Sequence, residues 1–459
     1  MSKREEFSIL SVVAVTSFMG TFLVSAVNIA LPAIGRDLTL NAVRLSWVVT
    51  AFILAMALFT LPAGSWGDRS DNRRLFKLGV ILFTLSSAIC YVSPDGYRLI
   101  GARFLQGVGA ALTGPTGQAI LVSAFPAERR GQALGISVAS VYGGLALGPL
   151  VGGIVTLHAG WRILFLIAVL LGLLSLLVSY LFLKGGGGRR NSAGRGDVTG
   201  TLLFMAGLAA LVYGSSLIPA VAGWALMGAG VALLLLFWRC ERRARRPMLD
   251  TRLFSHNRLF ARSALSALIN YTATFAIIFF LSLYLQKVQG LSARDAGAII
   301  VAQPAMMALF SPVVGKLSDR IQPRYLATAG MAMCTAGLGM FSLLGPATDV
   351  RIIIAILLWV GLGFALFSSP NMNTIMSSVD RRQYGQASGL ASSMRVFGQI
   401  ISMSIVTLLF SLLFGDRSIE EVPDPLFLRA MRWSFIIFTL TGLPGIILSF
   451  SRGNLKGRG

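Results

Sequence analysis

Long apolar stretches separated by short charged segments run through the whole chain. A helix needs about 20 apolar residues to cross the hydrocarbon core of a bilayer, and fourteen stretches meet that length. Lipid offers the backbone no hydrogen-bond partners, so each stretch is expected to be helical. The approximate limits of these spans, numbered 1 to 14, are 8–30, 46–65, 76–94, 99–122, 134–157, 162–183, 198–217, 220–238, 264–285, 297–316, 326–345, 351–370, 388–413 and 432–450. The pattern predicts an all-α polytopic membrane protein.

One of these stretches is repeated. Met56–Arg69 reads MALFTLPAGSWGDR and Met307–Arg320 reads MALFSPVVGKLSDR, with seven of fourteen positions identical. A second echo is GVGAAL at 107–112 against GLGFAL at 361–366. Duplicated halves in a membrane protein are typical of transporters whose substrate path lies between them. The copies end spans 2 and 10, so spans 7 and 8 are predicted to be inserted between two six-span halves.

This interpretation divides the chain into three parts. An N-terminal six-helix bundle is expected over 8–183 and a C-terminal six-helix bundle over 263–451, while 184–262 holds basic linkers and the inserted pair. The composition supports a lipid environment, because 55% of the residues are hydrophobic and only 13% are charged. Soluble domains carry about a quarter charged residues.

The distribution of positive charge predicts the orientation. The net charge is +22, but Lys and Arg occur in short clusters between spans rather than in a basic domain, which argues against a nucleic-acid partner. With the N-terminus in the cytoplasm, and each span end assigned to its nearer side, 28 Lys and Arg lie inside and 10 outside. The positive-inside rule therefore predicts a multi-pass protein of the plasma membrane, the inner membrane of a bacterium, with both termini cytoplasmic.

The loop after span 2, and its copy after span 10, carry glycine, aspartate and arginine. The glycines would let helices approach closely, and the aspartates would bind helix ends or arginines, so the pair predicts a cytoplasmic latch that opens and closes. An ordinary positive-inside loop is the alternative. The latch candidates are Gly64, Gly67, Asp68, Arg69, Arg73, Arg74, Gly315, Asp319 and Arg320.

Spans 4 and 5 contain the most specific strings. Arg103 lies inside span 4, where an arginine costs about 2.5–3.5 kcal/mol on insertion scales and is expected to have a role; snorkelling to the outer surface is the alternative. Small residues let membrane helices approach closely, and span 5 repeats glycine every four residues on one helix face. The packing or hinge candidates are Gly107, Gly144, Gly148, Pro149, Gly152 and Gly153.

These strings identify a family resemblance. GSWGDRSDNRR (Gly64–Arg74), RFLQGVGAA (Arg103–Ala111), GGLALGPLVGG (Gly143–Gly153) and VNIALP (Val27–Pro32) resemble signatures of the major facilitator superfamily, and of its fourteen-span drug–proton antiporter branch most closely. The resemblance runs from about residue 8 to 451. It implies two six-helix bundles around a central cavity that opens alternately to each side, with two inserted helices. It also implies that Arg103 takes part in proton coupling, and that Gly148 and Pro149 form a hinge associated with export.

One departure from the branch concerns acidic residues. Span 1 of that branch usually carries an aspartate five residues before the asparagine that matches Asn28, and here Leu23 stands there. All 18 acidic residues lie outside the predicted spans, so no carboxylate is expected at mid-membrane. A neutral, zwitterionic or anionic amphiphile therefore suits Arg103 and Arg395 better than a permanent cation. Proton coupling stays open, with Asp68 or an acid at a span end as its carrier.

Polar residues within the spans are candidates for the substrate cavity. Each could instead join helices by a hydrogen bond worth about 1 kcal/mol. The candidates are Asn28, Gln106, Gln118, Asn270, Tyr271, Gln303, Arg395 and Gln399.

The predicted function is export of a small, drug-like organic solute by a secondary transporter using alternating access. A lipid or metabolite transporter, a flippase on the same scaffold and a facilitator without proton coupling remain alternatives. The chain has no nucleotide-binding GxxxxGK[ST] loop and no HExxH string, and its three cysteines and two histidines are scattered, so no enzyme activity, metal or cofactor is expected. The expected partners are a small-molecule substrate, the lipid bilayer and, if coupled, protons; the expected state is a monomer.

Overall fold

The computed structural model describes residues 3–69, 71–125, 129–182, 198–243, 254, 257–379 and 384–453. Fourteen helical rods follow one another along this part of the chain. They are α1 Lys3–Asp37, α2 Ala42–Arg69, α3 Asn72–Val92, α4 Gly96–Ala124, α5 Arg130–Ala159, α6 Arg162–Phe182, α7 Val198–Leu217, α8 Val221–Arg243, α9 Arg258–Val288, α10 Ala293–Arg320, α11 Pro323–Phe341, α12 Val350–Ser377, α13 Tyr384–Phe414 and α14 Asp424–Ser451.

Two rods are interrupted. The rod α9 consists of Arg258–Thr274, Ala276–Leu283 and a π-helical turn, Tyr284–Val288, whereas α10 consists of Ala293–Ile300 and Ala302–Arg320. Twelve of the described helices are long and apolar enough to cross a membrane by length and composition, and α4 and α11 complete the fourteen. The predicted all-α fold with fourteen spans is confirmed.

The two halves of the chain pack in the same way. In the first half, α1 packs on α5 and α6, α4 on α2 and α3, and α3 on α6. The second half repeats each pairing: α9 packs on α13 and α14, α12 on α10 and α11, and α11 on α14. The duplication inferred from the two copies of MALF therefore extends to helix packing, and gives two six-helix bundles.

Close helix contacts show the duplication at single residues. Gly107 in α4 lies so near the carbonyl of Phe52 in α2 that a Cβ could not fit. Its counterpart Gly361 in α12 meets the carbonyl of Gln303 in α10 in the same way. Residues 52 and 303 are 251 positions apart, the spacing of the MALF repeat. Small residues thus allow the same backbone approach in both bundles.

The inserted pair α7–α8 packs at one seam between the halves. The helix α7 contacts both α2 and α13. Its Tyr213 ring lies 6.0 Å from the Trp47 ring of α2, and its Phe204 ring lies 5.6 Å from the Phe397 ring of α13. The hairpin therefore spans both halves on that side of the molecule.

We call the side of the membrane where α1 ends the distal side, and the side where α1 begins the proximal side. Among the described residues, most hydrogen bonds between the halves lie on the distal side. Distally, the Ala42 amide donates to the Arg417 carbonyl at 2.9 Å, and the Ser46 and Thr407 hydroxyls are 3.0 Å apart. Ser282 of α9 donates to the Asn28 carbonyl of α1 at 2.6 Å. These bonds close the distal ends of α2/α13 and α1/α9.

Candidate functional site

Four polar side chains meet between the two halves. The hydroxyls of Tyr142 on α5 and Ser368 on α12 are 3.1 Å apart. The Tyr271 hydroxyl on α9 lies close to Ser368, and Arg395 on α13 is near enough for its charge to act on Tyr271. One helix of the first half and three of the second therefore contribute to one cluster, which we call the seam cluster.

The seam cluster lies inside the membrane thickness at a common depth. Counted from the proximal ends of their helices at 1.5 Å per residue, its four members lie about 13 to 20 Å deep. Arg395 is only half-buried, so its side chain keeps some accessible surface. Among the described residues, no carboxylate lies within ion-pair distance of it. A cation held at this depth without an acid is suited to binding an anion or a carbonyl oxygen.

Aromatic and amide side chains surround the cluster. The rings of Tyr271 and Phe364 pack edge to face with centroids 5.3 Å apart. Gln399 lies one helical turn beyond Arg395 on the same face of α13 and is half-buried. Asn270 and Gln303 are buried, and within the described structure the Asn270 Nδ2 and Gln303 Oε1 atoms have no hydrogen-bond partner. Such atoms cost about 1–3 kcal/mol when left unpaired, so both amides remain candidates to bind a ligand.

Acidic residues are absent from mid-membrane in the described helices. Those that occur within helices lie in first or last turns: Glu5, Glu6, Asp37, Asp68, Glu241, Asp295, Asp319 and Asp424. Leu23, which replaces the aspartate of the antiporter branch, is fully buried in the core. The site is therefore cationic and polar, with aromatic walls.

Arg103 lies within the first half and is 1% exposed. Its Nε donates to the Val48 carbonyl of α2 at 3.1 Å, and its Nη1 donates to Gln106. Gln106 in turn donates to the Ser87 hydroxyl of α3 at 2.6 Å, and the Phe52 ring lies 4.5 Å from the guanidinium carbon. The structure thus places Gln106 beside Arg103, in a network that joins α2, α3 and α4. The Arg103 side chain does not snorkel to the membrane surface, because protein encloses the guanidinium.

The glycine-rich face of α5 packs against α1. A Cβ at Gly144 would clash with the Phe18 carbonyl, one at Gly148 with Ser25, and one at Gly152 with Ala26. The bare face predicted from the four-residue spacing is therefore present. Gly153 points to a different neighbour: its Cβ would clash with the Ala293 carbonyl at the start of α10, in the other half.

Two further candidates join the halves. Asn28 is buried, its Nδ2 donates to the Val24 carbonyl at 3.0 Å, and its own carbonyl accepts from Ser282. Gln118 accepts a 3.1 Å hydrogen bond from Ser388, which links the proximal ends of α4 and α13. Both residues therefore lie where α1–α6 meet α9–α14, Asn28 distally and Gln118 proximally.

The latch candidates are described only in part. The side chains of Gly67, Asp68, Arg69 and Asp319 lie outside the described residues. A Cβ at Gly64 would meet open space in this conformation, so a close helix approach at that glycine stays a prediction for another state of the latch. The neighbouring segments pack as ordinary helix ends.

Those helix ends use local hydrogen bonds. Asp71 caps α3 by accepting from the Arg73 amide at 2.9 Å, and Arg74 pairs with it at 3.8 Å. In the second copy, Gly315 lies near Ser369 and Arg320 is exposed.

Three functional candidates escaped the sequence analysis. Tyr142 and Ser368 are hydroxyl residues in apolar runs, and only helix rotation decides whether they face a neighbour or lipid. Arg452 follows the last span and is 3% exposed; it donates to Asn371 at 2.7 Å and to the Pro323 carbonyl at 2.8 Å. Burial lowers the pKa of Arg452 to about 10, so it stays charged at neutral pH and ties α14 to α11 and α12.

Comparison with known proteins decides the family. The Major Facilitator Superfamily profile matches residues 12–403. The chain belongs to the Major Facilitator Superfamily. The resemblance seen in the sequence strings is thereby confirmed, and the protein is a transporter rather than an enzyme.

Members of the superfamily with known names share most of the chain. The Riboflavin transporter RibZ of Clostridioides difficile (strain 630) is 31% identical over 417 residues, covering 90% of this chain and 89% of that protein. The Multidrug resistance protein Stp of Mycobacterium tuberculosis (strain ATCC 25618 / H37Rv) is 32% identical over 411 residues, covering 87% and 75%. A bacterial homolog to the human lysosomal transporter Spinster, solved in an inward-facing and unoccupied conformation, shares the fold with TM-score 0.70, 16% identity and 98% coverage of each chain.

Proposed function

We propose that this superfamily member exports small neutral or anionic amphiphiles from the cytoplasm by alternating access. The observation that carries the proposal is the seam cluster, where Arg395 lies between the halves with aromatic neighbours and, among the described residues, without a carboxylate partner. An anionic or carbonyl-bearing ring system fits that chemistry. The similarity to a riboflavin transporter and to a multidrug resistance protein supports an organic, ring-containing substrate.

The proposed orientation places the proximal side in the cytoplasm of a bacterium, on the positive-inside rule. The distal bonds at Ala42, Ser46 and Ser282 then close the path to the outside. On the proximal side the described residues share the Gln118–Ser388 bond, so the larger number of distal bonds supports a carrier whose site is reached from the cytoplasm, as export requires. We propose that the monomer is the working unit, because both halves of the seam cluster come from one chain.

Transport of matched probes tests the proposal. The purified protein in liposomes is offered three probes with one shared ring system that carry a carboxylate, a neutral amide or a quaternary ammonium. The carboxylate and the amide are expected to be transported and the quaternary ammonium is not, because a desolvated like charge beside Arg395 is repelled. Faster transport of the cation would contradict the proposed substrate class. Movement of a labelled phospholipid instead of all three probes would identify a flippase.

The energy source is tested in the same liposomes. An imposed pH gradient that accelerates probe transport, and a protonophore that stops it, would identify a proton antiporter. Indifference to both would identify a facilitator or another coupling ion.

Arg103 is proposed to act in coupling or gating from within the first half. We expect Arg103→Ala to abolish transport while membrane insertion and yield are retained, because the guanidinium joins α2 and α4 through Val48 and Gln106. Arg103→Lys keeps the charge but loses the planar donor set, and should be strongly impaired as well. The measurement is the initial rate per reconstituted protein, with α-helical content by circular dichroism as the folding control. Normal transport by Arg103→Ala would remove the residue from the mechanism.

A further inference from the structure

Buried hydrogen bonds fasten the end of the last helix to three other helices of the second half. Arg452 directly follows α14, and its Nη1 donates to the Asn371 Oδ1 of α12 at 2.7 Å and its Nη2 to the Pro323 carbonyl of α11 at 2.8 Å. The Asn371 Nδ2 donates in turn to the Ser263 carbonyl of α9 at 3.1 Å. Arg452 and Asn371 are each 3% exposed, and Ser263 is fully buried. We call this chain of bonds the Arg452 clamp.

Close helix contacts show which residues of the first half correspond to the clamp. A Cβ at Gly144 of α5 would clash with the Phe18 carbonyl of α1, and one at Gly398 of α13 would clash with the Leu268 carbonyl of α9 in the same way. Positions 18 and 268 are 250 apart, so residues of α1 match those of α9 at that spacing. The glycine contacts of α4 with α2 and of α12 with α10 match α4 to α12 at a spacing of 254.

At the corresponding positions the first half is apolar. Ser263 matches Val13, and Asn371 matches Gly117. A Cβ at Gly117 would lie 3.3 Å from the Val13 side chain and 3.2 Å from the Phe76 ring, and both of these side chains belong to a buried apolar cluster. Hydrophobic packing therefore holds the proximal end of the first bundle together. The clamp is thus a property of this chain and not a requirement of the duplicated fold.

The clamp acts on a segment of α12 that a proline weakens. Pro370 lies inside α12, and a proline within a helix removes one backbone hydrogen bond and disturbs the preceding turn. Asn371 is the next residue, so the bonds of its side chain hold the helix where its backbone bonding is interrupted. Pro115 lies one position away from the equivalent point in α4, and there the apolar packing serves instead. A fully bonded buried network is more directional than apolar packing, because each bond fixes an angle as well as a distance.

The clamped helices carry two members of the seam cluster. Ser368 lies less than one turn from Asn371 on α12, and Tyr271 lies about two turns from Ser263 on α9. The Ser368 hydroxyl in turn meets the Tyr142 hydroxyl of the first half at 3.1 Å. A small displacement of α12 against α9 would therefore carry Ser368 out of hydrogen-bonding reach, because such bonds weaken steeply beyond their normal length.

We infer that Arg452 is a positioning residue for substrate binding. Through Asn371 it holds the segment of α12 that follows Pro370 against α9, and thereby keeps Ser368 in place in the seam cluster. The inference rests on the proposed function, because it concerns binding of the same substrates at the same cluster.

A double-mutant cycle tests whether Arg452 acts through Ser368. KM for the carboxylate probe is measured in liposomes for Arg452→Met, Ser368→Ala and the double variant. Each single variant should raise KM about fivefold and the double variant no more than about tenfold, because residues that act through one contact are coupled. A rise of about 25-fold, the product of the single effects, would show independent action and overturn the inference. An unchanged KM in Arg452→Met would overturn it as well.

Two further variants separate positioning from general support of the fold. Arg452→Lys keeps a charged donor without the planar fork, so an intermediate KM is expected. Arg432→Met is the matched control, because Arg432 lies near the other end of α14 and donates to the Ser342 carbonyl of α11 at 3.2 Å. It removes a comparable bond far from the clamped segment, so KM should stay within about twofold of the wild type. A rise equal to that of Arg452→Met would reduce Arg452 to a support of the second half and overturn the inference.

Hydrogen exchange of the substrate-free protein reports on α12 without transport. Peptides that cover 371–378 should exchange at least about fivefold faster in Arg452→Met than in the wild type, because the clamp opposes local opening there. Peptides that cover 117–124, at the proximal end of α4, should not change. Equal acceleration of both regions, or of neither, would overturn the inference. If the wild type transports none of the probes, the proposed function fails, and faster exchange confined to 371–378 would still support Arg452 as the residue that positions α12.

Discussion

Replacing Arg395 with alanine is expected to lower transport of an anionic amphiphile roughly 10- to 150-fold, with a much smaller effect on a neutral analogue. The reason is the isolation of the guanidinium in the seam cluster, where it is half-buried and has, within the described structure, no carboxylate within ion-pair distance. A hydrogen bond to a charged group contributes about 1.5–3 kcal/mol, and each 1.4 kcal/mol is about tenfold in affinity. The loss should therefore appear mainly in KM for the anion.

A conservative variant of Arg395 and a control variant far from the seam cluster test whether the loss comes from anion binding. Arg395→Lys keeps the charge without the planar fork, so an intermediate KM is expected. Arg98→Ala removes an arginine that is 71% exposed and pairs at 3.3 Å with Asp95, the N-cap residue of α4, and exposed pairs contribute little, so it should match the wild type. Equal losses for the anionic and the neutral probe would show that Arg395 supports the fold or the transport cycle instead of binding the anion.

The helical spans could be predicted because lipid restricts the backbone conformations of a membrane-spanning segment, and the duplication could be predicted from the repeated strings. Backbone groups inside a bilayer must pair within a helix, so span number follows from apolar length alone. The copies at Met56–Arg69 and Met307–Arg320 then set the register between the halves. Packing followed the same logic at Gly144, Gly148 and Gly152, since a glycine every four residues leaves one face bare whatever lies opposite.

The site was less predictable because a polar residue in a span does not reveal its partner. Gln106 was a cavity candidate, yet its amide binds Arg103 and Ser87 inside the first half. Tyr142 and Ser368 were not singled out, although their hydroxyls meet across the halves. Helix rotation and the angle between bundles decide these outcomes, and neither is encoded in local spacing.

Glycine was ambiguous for the same reason. The sequence does not show which glycine packs closely: a Cβ at Gly64 meets open space, while one at Gly107 meets the Phe52 carbonyl. The position of the inserted hairpin was equally hidden, because nothing in its own apolar pattern names the seam it covers. Its contacts with Trp47 and Phe397 emerge only in three dimensions.

The second large effect is expected on the distal side, in the contacts that close the two halves there, which we call the distal seal. There, Gly297→Val should abolish transport without unfolding the protein. Gly297 lies in the second turn of α10, and a Cβ there would overlap the Pro149 carbonyl of α5, which is backbone and cannot rotate away. Overpacking of this kind costs about 1–3 kcal/mol. Because α5 and α10 belong to different halves, the cost falls on the conformation that is closed distally and not on either bundle alone. A free-energy change of that size shifts a two-state equilibrium roughly 5- to 150-fold.

Labelling from the distal side measures this shift. Ser46→Cys, introduced with Cys240→Ser, lies in the seal opposite Thr407 and is fully buried in the closed conformation. An impermeant maleimide should react with it slowly in the wild-type background and much faster when Gly297→Val is added, because the halves separate as rigid bodies. Gly101→Val is the matched control, since a Cβ at Gly101 meets open space. If Gly297→Val transports normally, or leaves the labelling rate of Ser46→Cys unchanged, the contact between α5 and α10 is not part of the gate, and the distal bonds only hold a static structure.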